Sequence, residues 1–165
     1  MNKWDKAHME VAQTYAQLSS AKRSKVGCVI VKENRIISIG YNGMPSGWDN
    51  ECEYWLPKEG VTFDVHPKDI EIYCDSFTKP EVLHAETNAI AKVARSSESC
   101  EGATLYTTMM PCLDCAKLIY QSGISRVVYE NDYPKGDAGV QFLTKCNLSC
   151  EKFSEQVDNH LKVVL

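Results

Sequence analysis

The chain has 165 residues, 44% of them hydrophobic and 24% charged, with a formal net charge of −4 and an isoelectric point of about 5.6. That length is enough for one compact domain and short for two. The acidic balance argues against a surface that wraps nucleic acid, and no stretch approaches the roughly 20 apolar residues of a membrane span. The opening run MNKWDKAHMEVAQ lacks the apolar region of a secretory leader, so a cytoplasmic location is expected. In that setting the eight cysteines read as thiols and metal ligands rather than disulfides.

The pattern predicts a first helix from about Trp4 to Leu18, with Trp4, His8, Val11, Tyr15 and Leu18 on one face and His8 partly buried in the core. Val26 to Val31 and Arg35 to Gly40 are short apolar runs around Glu33-Asn34, which predicts a hairpin; Cys28 within the first run reads as packing. The segment from about Glu51 to Pro80 is the least readable, being too long for a simple connection. Helical periodicity resumes at His84 and runs through Thr87, Ile90, Ala91 and Ala94. Ala103 to Thr107 is a strand leading into a helix at Pro111-Cys112, with Pro111 suited to its first turn. Arg126 to Tyr129 is the next strand, followed by a helix from about Ala138 to Cys146 and a last strand near Leu148 to Phe153. Alternating strands and helices imply one three-layer α/β domain over residues 1–165, with an insertion at about 51–80.

Two of these segments carry chemistry. His84-Ala85-Glu86 followed by Pro111-Cys112-Leu113-Asp114-Cys115 supplies three metal ligands and one unligated carboxylate, in the order a zinc deaminase of nucleobases requires. A catalytic zinc takes three protein ligands and keeps its fourth tetrahedral position for water, whose pKa falls to about 7. His84, Cys112 and Cys115 provide the three, and Glu86 is the general acid/base. Cys112 and Cys115 fall on one helix face near its positive end, where thiols ionise readily. A closed four-ligand zinc site is the structural alternative. A thioredoxin-like Cys-x-x-Cys pair is another, and it leaves His84 and Glu86 unexplained.

HAETNAI, PCLDCAKLIYQSGISRVVY and the upstream GYNGMPSG together resemble the deoxycytidylate deaminase family, from about Lys3 to about Phe153. The tRNA adenosine deaminases, similar around the zinc, usually have Gly-Ala where this chain has Ala116-Lys117. The resemblance implies a three-layer α/β/α fold with a five-stranded mixed sheet and conversion of dCMP to dUMP with release of ammonia, a supply of dUMP for thymidylate synthesis. Some relatives hold a second, structural zinc. Here Cys52, His66 and Cys74 are present, but Val82 stands where one such relative has a ligating Glu. The plainer reading is packed cysteines and a surface His, and Cys100, Cys146 and Cys150 have no ligand-like context.

A nucleotide substrate needs grips on its sugar, phosphate and base. Members of the superfamily use an Asn like Asn42 for a sugar hydroxyl, although Asn42-Gly43 is also good turn chemistry. Lys22, Arg23, Ser24 and Lys25 suit a 5′-phosphate, although cations also favour a helix end. Tyr129 either stacks on the base, reaches the phosphate or is a rim aromatic. The resemblance also implies activation by dCTP and inhibition by dTTP, each accompanied by Mg2+, in a homo-oligomer that is commonly a hexamer. The matching residues are Gly43, Met44, Pro45, Ser46, Gly47 and Trp48, with Arg95 on the catalytic helix; a plain turn and a helix-end cation are their bland readings. Lys92 stands where one relative has an aromatic. A polynucleotide-editing deaminase and a catalytically idle effector-binding protein are the readings from other classes. The acidic balance weighs against the first and the intact Glu86 against the second.

Overall fold

The computed structural model describes residues 1–154; the end of the domain expected over 1–165 lies outside the described residues. In chain order the elements are α1 (Lys3–Ala16), β1 (Gly27–Lys32), β2 (Arg35–Tyr41), β3 (Glu53–Pro57), α2 (Ile70–Tyr73), β4 (Cys74–Thr78), α3 (Ala85–Ala94), β5 (Thr104–Met109), α4 (Leu113–Gln121), β6 (Arg126–Asn131), α5 (Ala138–Lys145) and β7 (Ser149–Lys152). Five strands form a mixed sheet in the order β2-β1-β5-β6-β7. β1 is antiparallel to both β2 and β5, while β5, β6 and β7 run parallel.

Successive strand side chains point to opposite faces, and the core divides accordingly. Cys28, Ile30, Leu105 and Val127 face α3, α4 and α5, burying Ile90, Ile119 and Leu143. Val29, Val31, Tyr106 and Val128 face the other way, onto Met9 and Ala12 of α1. The expected α/β/α sandwich is therefore the observed one. Glu33 and Asn34 both have positive φ (50° and 60°), the requirement of the tight turn whose twist matches a hairpin. His8 is buried and its Nε2 lies 3.0 Å from Asn34 Oδ1, tying α1 to that turn.

Three details differ from the sequence reading. Helix α1 ends at Ala16, and its buried face is Asp5, His8, Met9, Ala12 and Ala16, whereas Trp4 and Leu18 are 49% and 60% exposed. Close approach decides the face, because a Cβ at Gly27 would fall on the Ala12 carbonyl and only small side chains fit that seam. Pro111 is outside α4, since Cys112 takes the extended N-cap conformation and Leu113 is the first helical residue. The unreadable insertion contains an antiparallel ribbon, β3 with β4. Its apolar Tyr54, Leu56 and Phe77 face solvent while Glu53 is buried, which inverts the usual alternation signal. Cys52 is buried beside Ala21 and Val82, Cys74 is buried in β4, and exposed His66 caps a short 3-10 turn by accepting from the Lys68 N–H. Among the described residues no helix is long and apolar enough to cross a membrane.

Buried Asp5 joins the first and last parts of the domain. It accepts from Arg126 Nη1 at 2.6 Å, Tyr106 Oη at 2.9 Å and the Asn2 N–H at 3.0 Å, and Arg126 also reaches Glu151 at 3.0 Å. Burial alone would raise the Asp5 carboxyl, but hydrogen bonds from Arg126, Asn2 and Tyr106 outweigh it and hold the pKa at about 2 against an ordinary 3.8. A depressed acid stabilises the fold above its unfolded pKa and loses that contribution as pH falls through the folded one. Asp5→Asn is expected to cost roughly 2 kcal/mol at neutral pH. Denaturant titrations should show the gap between the two proteins closing as pH falls from about 4 towards 2; a gap independent of pH would show that the carboxylate charge is not what stabilises this junction.

Candidate active site

The site forms where two helices begin. His84 is the N-cap of α3 and Cys112 the N-cap of α4, both in extended conformation and neither using its side chain to cap its own helix. An N-cap side chain ordinarily satisfies the first N–H groups of its helix; here both are left to face each other. Cys115 follows one turn into α4 and is buried, and Glu86 lies in the first turn of α3 at 4% exposure. The seats of these helices are set by backbone contact. A Cβ at Gly40 of β2 would fall on the Ala85 carbonyl in α3, and one at Gly139 of α5 would fall on the Pro111 carbonyl just before α4.

His84 Nδ1 lies 3.3 Å from Cys115 Sγ and 3.5 Å from Cys112 Sγ. Tetrahedral zinc with Zn–N of about 2.0–2.1 Å and Zn–S of about 2.3 Å would hold such atoms about 3.6 Å apart, so the donors fit that ion. Among the described residues the group has three members, which leaves a tetrahedral position for water. A hydrogen bond from Cys115, working against burial and helped by His84, holds the Cys112 thiol down to about 4, while the same bond and burial push Cys115 well up. Thiolates are the form that binds a metal, so protons held by this pair leave as the ion enters.

Glu86 touches this trio from the buried side. The Cys115 thiol donates towards Glu86 Oε2 at 3.6 Å. Burial pushes the Glu86 carboxyl up to about 7, partly countered by its own backbone N–H and by His84. A carboxyl with that pKa can both take and give a proton at neutral pH.

A cavity of about 320 Å3 opens from His84, Glu86 and Cys112 and extends to Arg23, Ser24 and Lys135. Asn42 lines it, with Oδ1 accepting from the Val26 N–H at 2.8 Å and Nδ2 donating to the Ser24 carbonyl at 2.9 Å, so this side chain braces the segment after α1. Of the expected cation cluster, Arg23 and Ser24 line the cavity. Lys22 lines a separate pocket and Lys25 lines neither. Tyr129 is 8% exposed inside β6 and does not line the cavity, because its strand position turns it into the packed sheet. Tyr133 lines it instead. Burial pushes the Tyr133 phenol up, with Cys112, Cys115 and Glu86 adding to the shift and Arg23 opposing it, so the phenol is within electrostatic reach of the donor group and of Arg23.

Sequence reasoning missed Tyr133, Lys135, Glu53 and Thr78, all in the cavity wall. Tyr133 and Lys135 follow the carboxyl end of parallel β6, where ligands of open α/β sheets bind, and that rule is the signal that could have found them. The Gly43–Trp48 loop lies next to the metal ligands, since Gly43 and Leu83 exchange backbone hydrogen bonds of 3.1 and 2.9 Å one residue before His84. Met44 packs on Ala21, Cys52 and Val82, Trp48 N–H closes a turn onto Pro45, and Gly47 supplies its positive φ of 91°. Ser46 lies within that turn, and Arg95 is the exposed C-cap of α3.

The profile of the cytidine and deoxycytidylate deaminase zinc-binding region matches residues 2–131. The chain is 39% identical over 168 residues to the deoxycytidylate deaminase of Enterobacteria phage T4, across 88% of this chain and 86% of that protein. It is 33% identical over 164 residues to the deoxycytidylate deaminase of Homo sapiens, across 98% and 84% respectively. The crystal structure of dCMP deaminase from cyanophage S-TIM5 in complex with dCMP and dUMP matches with a TM-score of 0.75 and 37% identity, covering 93% of this chain and 99% of that one. With the zinc-binding profile spanning both ligand segments and relatives matched over most of their length, the chain belongs to the cytidine and deoxycytidylate deaminase family.

Proposed function

We propose that the protein hydrolyses dCMP to dUMP and ammonia. The observation that carries this reading is one cavity whose wall carries both His84, Glu86 and Cys112 of the donor group and the cations Arg23 and Lys135. That combination suits a pyrimidine bearing a phosphate, and the S-TIM5 relative was solved with dCMP and dUMP.

Zinc, when bound by the three donors, supplies a water acidic enough to ionise near neutrality. Glu86 passes a proton to N3 of the base and then to the amine leaving C4, a pair of transfers suited to its raised pKa. Asn42, already braced on both sides, has one amide hydrogen left for a sugar hydroxyl. Tyr133 flanks the base, and Arg23, Ser24 and Lys135 hold the phosphate.

The reading extends to a cytoplasmic homohexamer that supplies dUMP for thymidylate synthesis, activated by dCTP and inhibited by dTTP, each with Mg2+. What supports a regulatory role is the place of the Gly43–Trp48 loop. Its Gly43–Leu83 bridge adjoins His84, so a shift in the loop reaches a metal ligand through one peptide. Trp48 is 58% exposed at the loop's end, and Arg95 closes the helix that carries Glu86.

Ammonia release from dCMP, deoxycytidine, dCTP and a cytosine-containing oligonucleotide tests the substrate. Turnover is expected with dCMP foremost; preferential turnover of the oligonucleotide, with steep salt dependence, would identify a polynucleotide deaminase instead. The same assay with added dCTP or dTTP and magnesium should shift dCMP saturation in opposite directions, as ligands favouring different conformations do. Unshifted hyperbolic curves from a monomer would leave the deaminase without regulation.

A further inference from the structure

Glu53 is an acidic side chain in the wall of a cavity that is also lined by the cations Arg23, Lys79 and Lys135. It is 6% exposed, and a buried carboxylate beside an anion site opposes the anion unless its charge is committed elsewhere. Here it is committed. Glu53 Oε1 accepts the backbone N–H of Lys22 at 3.0 Å and that of Arg23 at 3.1 Å. Directly across the β3–β4 ribbon, in register with Glu53, stands Thr78, whose Oγ1 accepts from Arg23 Nη1 at 3.3 Å. One rung of the ribbon thus holds Arg23 at both ends, by its main chain and by its guanidinium. The same corner is packed by Ala21, Cys52 and Val82, and the Lys79 N–H donates to the Cys52 carbonyl at 2.9 Å.

We infer that Glu53 and Thr78 are positioning residues for substrate affinity, and that the insertion's ribbon exists at this corner to fix Arg23 in the geometry that binds the phosphate. The inference rests on the reading of Arg23 as a phosphate ligand. The segment after α1 has no helix or strand to hold it between Ala16 and Gly27, so among the described residues its long-range hydrogen-bonded supports come from the ribbon, from Cys52 just before it and from Asn42. Freeing two N–H groups and a guanidinium should cost binding without touching the proton chemistry at Glu86.

Steady-state kinetics of the zinc-loaded enzyme with dCMP, on Arg23→Gln, Glu53→Ala, Glu53→Gln and Thr78→Val, tests this. Arg23→Gln and Glu53→Ala are each expected to raise KM at least about tenfold with kcat held within about threefold. Glu53→Gln keeps a carbonyl acceptor for both N–H groups and should restore KM to within about threefold of wild type. Thr78→Val, which keeps the shape and deletes the acceptor, should raise KM about threefold. If Arg23→Gln raises KM while Glu53→Ala and Thr78→Val do not, the inference falls and the phosphate reading stands. If Arg23→Gln leaves KM unchanged, the phosphate reading falls and the inference with it. A loss of kcat equal to the loss of kcat/KM in Glu53→Ala would also overturn it. Should Glu53→Ala fail to fold, Glu53→Asp, one methylene too short to reach both N–H groups, takes its place with the same expected rise in KM and the same overturning results.

Discussion

Replacing Glu86 with Gln is expected to lower kcat by on the order of 10²–10⁴ while zinc content stays near one ion per chain. The substitution preserves size and leaves His84, Cys112 and Cys115 in place, so any loss belongs to proton transfer and not to the metal. Glu86 is suited to the role because it is buried against Cys115 with its carboxyl pushed up to about 7. Gln has neither the proton to give nor the basicity to take one. A variant that keeps wild-type kcat with chemistry still rate-limiting would remove Glu86 from the mechanism, and a variant that loses zinc would mean the carboxylate also supports the donors.

Cys115→Ala should abolish both zinc retention and turnover. Cys115 sits 3.3 Å from His84 Nδ1 and 3.6 Å from Glu86 Oε2, so its removal deletes one donor and loosens the other two. The buried position next to Ala116 and Ile119 accepts alanine with only a small void, and the fold should survive. Metal analysis after gel filtration, paired with a melting curve, separates the two effects. Near-stoichiometric zinc with undiminished turnover in a folded variant would defeat the ligand assignment.

Why this metal trio is legible in sequence and the rest of the cavity wall is not comes down to how each is built. His84, Glu86, Cys112 and Cys115 lie in two short segments at helix starts, each an extended N-cap followed within three residues by a first-turn side chain, so each half of the group is local in sequence. Arg23, Thr78 and Lys135 come from three separate parts of the chain, and each is an ordinary surface residue until the fold brings them together. Tyr129 shows the limit clearly: an aromatic near the site in sequence belongs to the strand's packed side, and Tyr133 in the following loop takes the cavity position. The central strands read well because β1 is a nearly continuous apolar run, while β5 and β6 are rich in β-branched and aromatic residues and largely buried. β3 and β4 read poorly because they form a ribbon outside the main sheet whose large side chains are outward. Helix α1 reads out of phase for a related reason, since its inward face is Asp5, His8, Met9, Ala12 and Ala16, while the larger Trp4 lies outward.

Backbone meets backbone at Gly40 and Ala85 with no side chain between them. The distance from sheet to α3 at that point is therefore a property of the main chain, independent of which apolar residues fill the remaining space. Ile30, Ile90 or Leu105 could be exchanged for neighbours of similar volume, and the helix would still pivot about the same fixed point, with His84 and Glu86 at its near end. Such a seat separates two kinds of variation: the interior can drift in composition through many generations while the donor atoms hold their places, and Gly40 is the position where drift would be least tolerated.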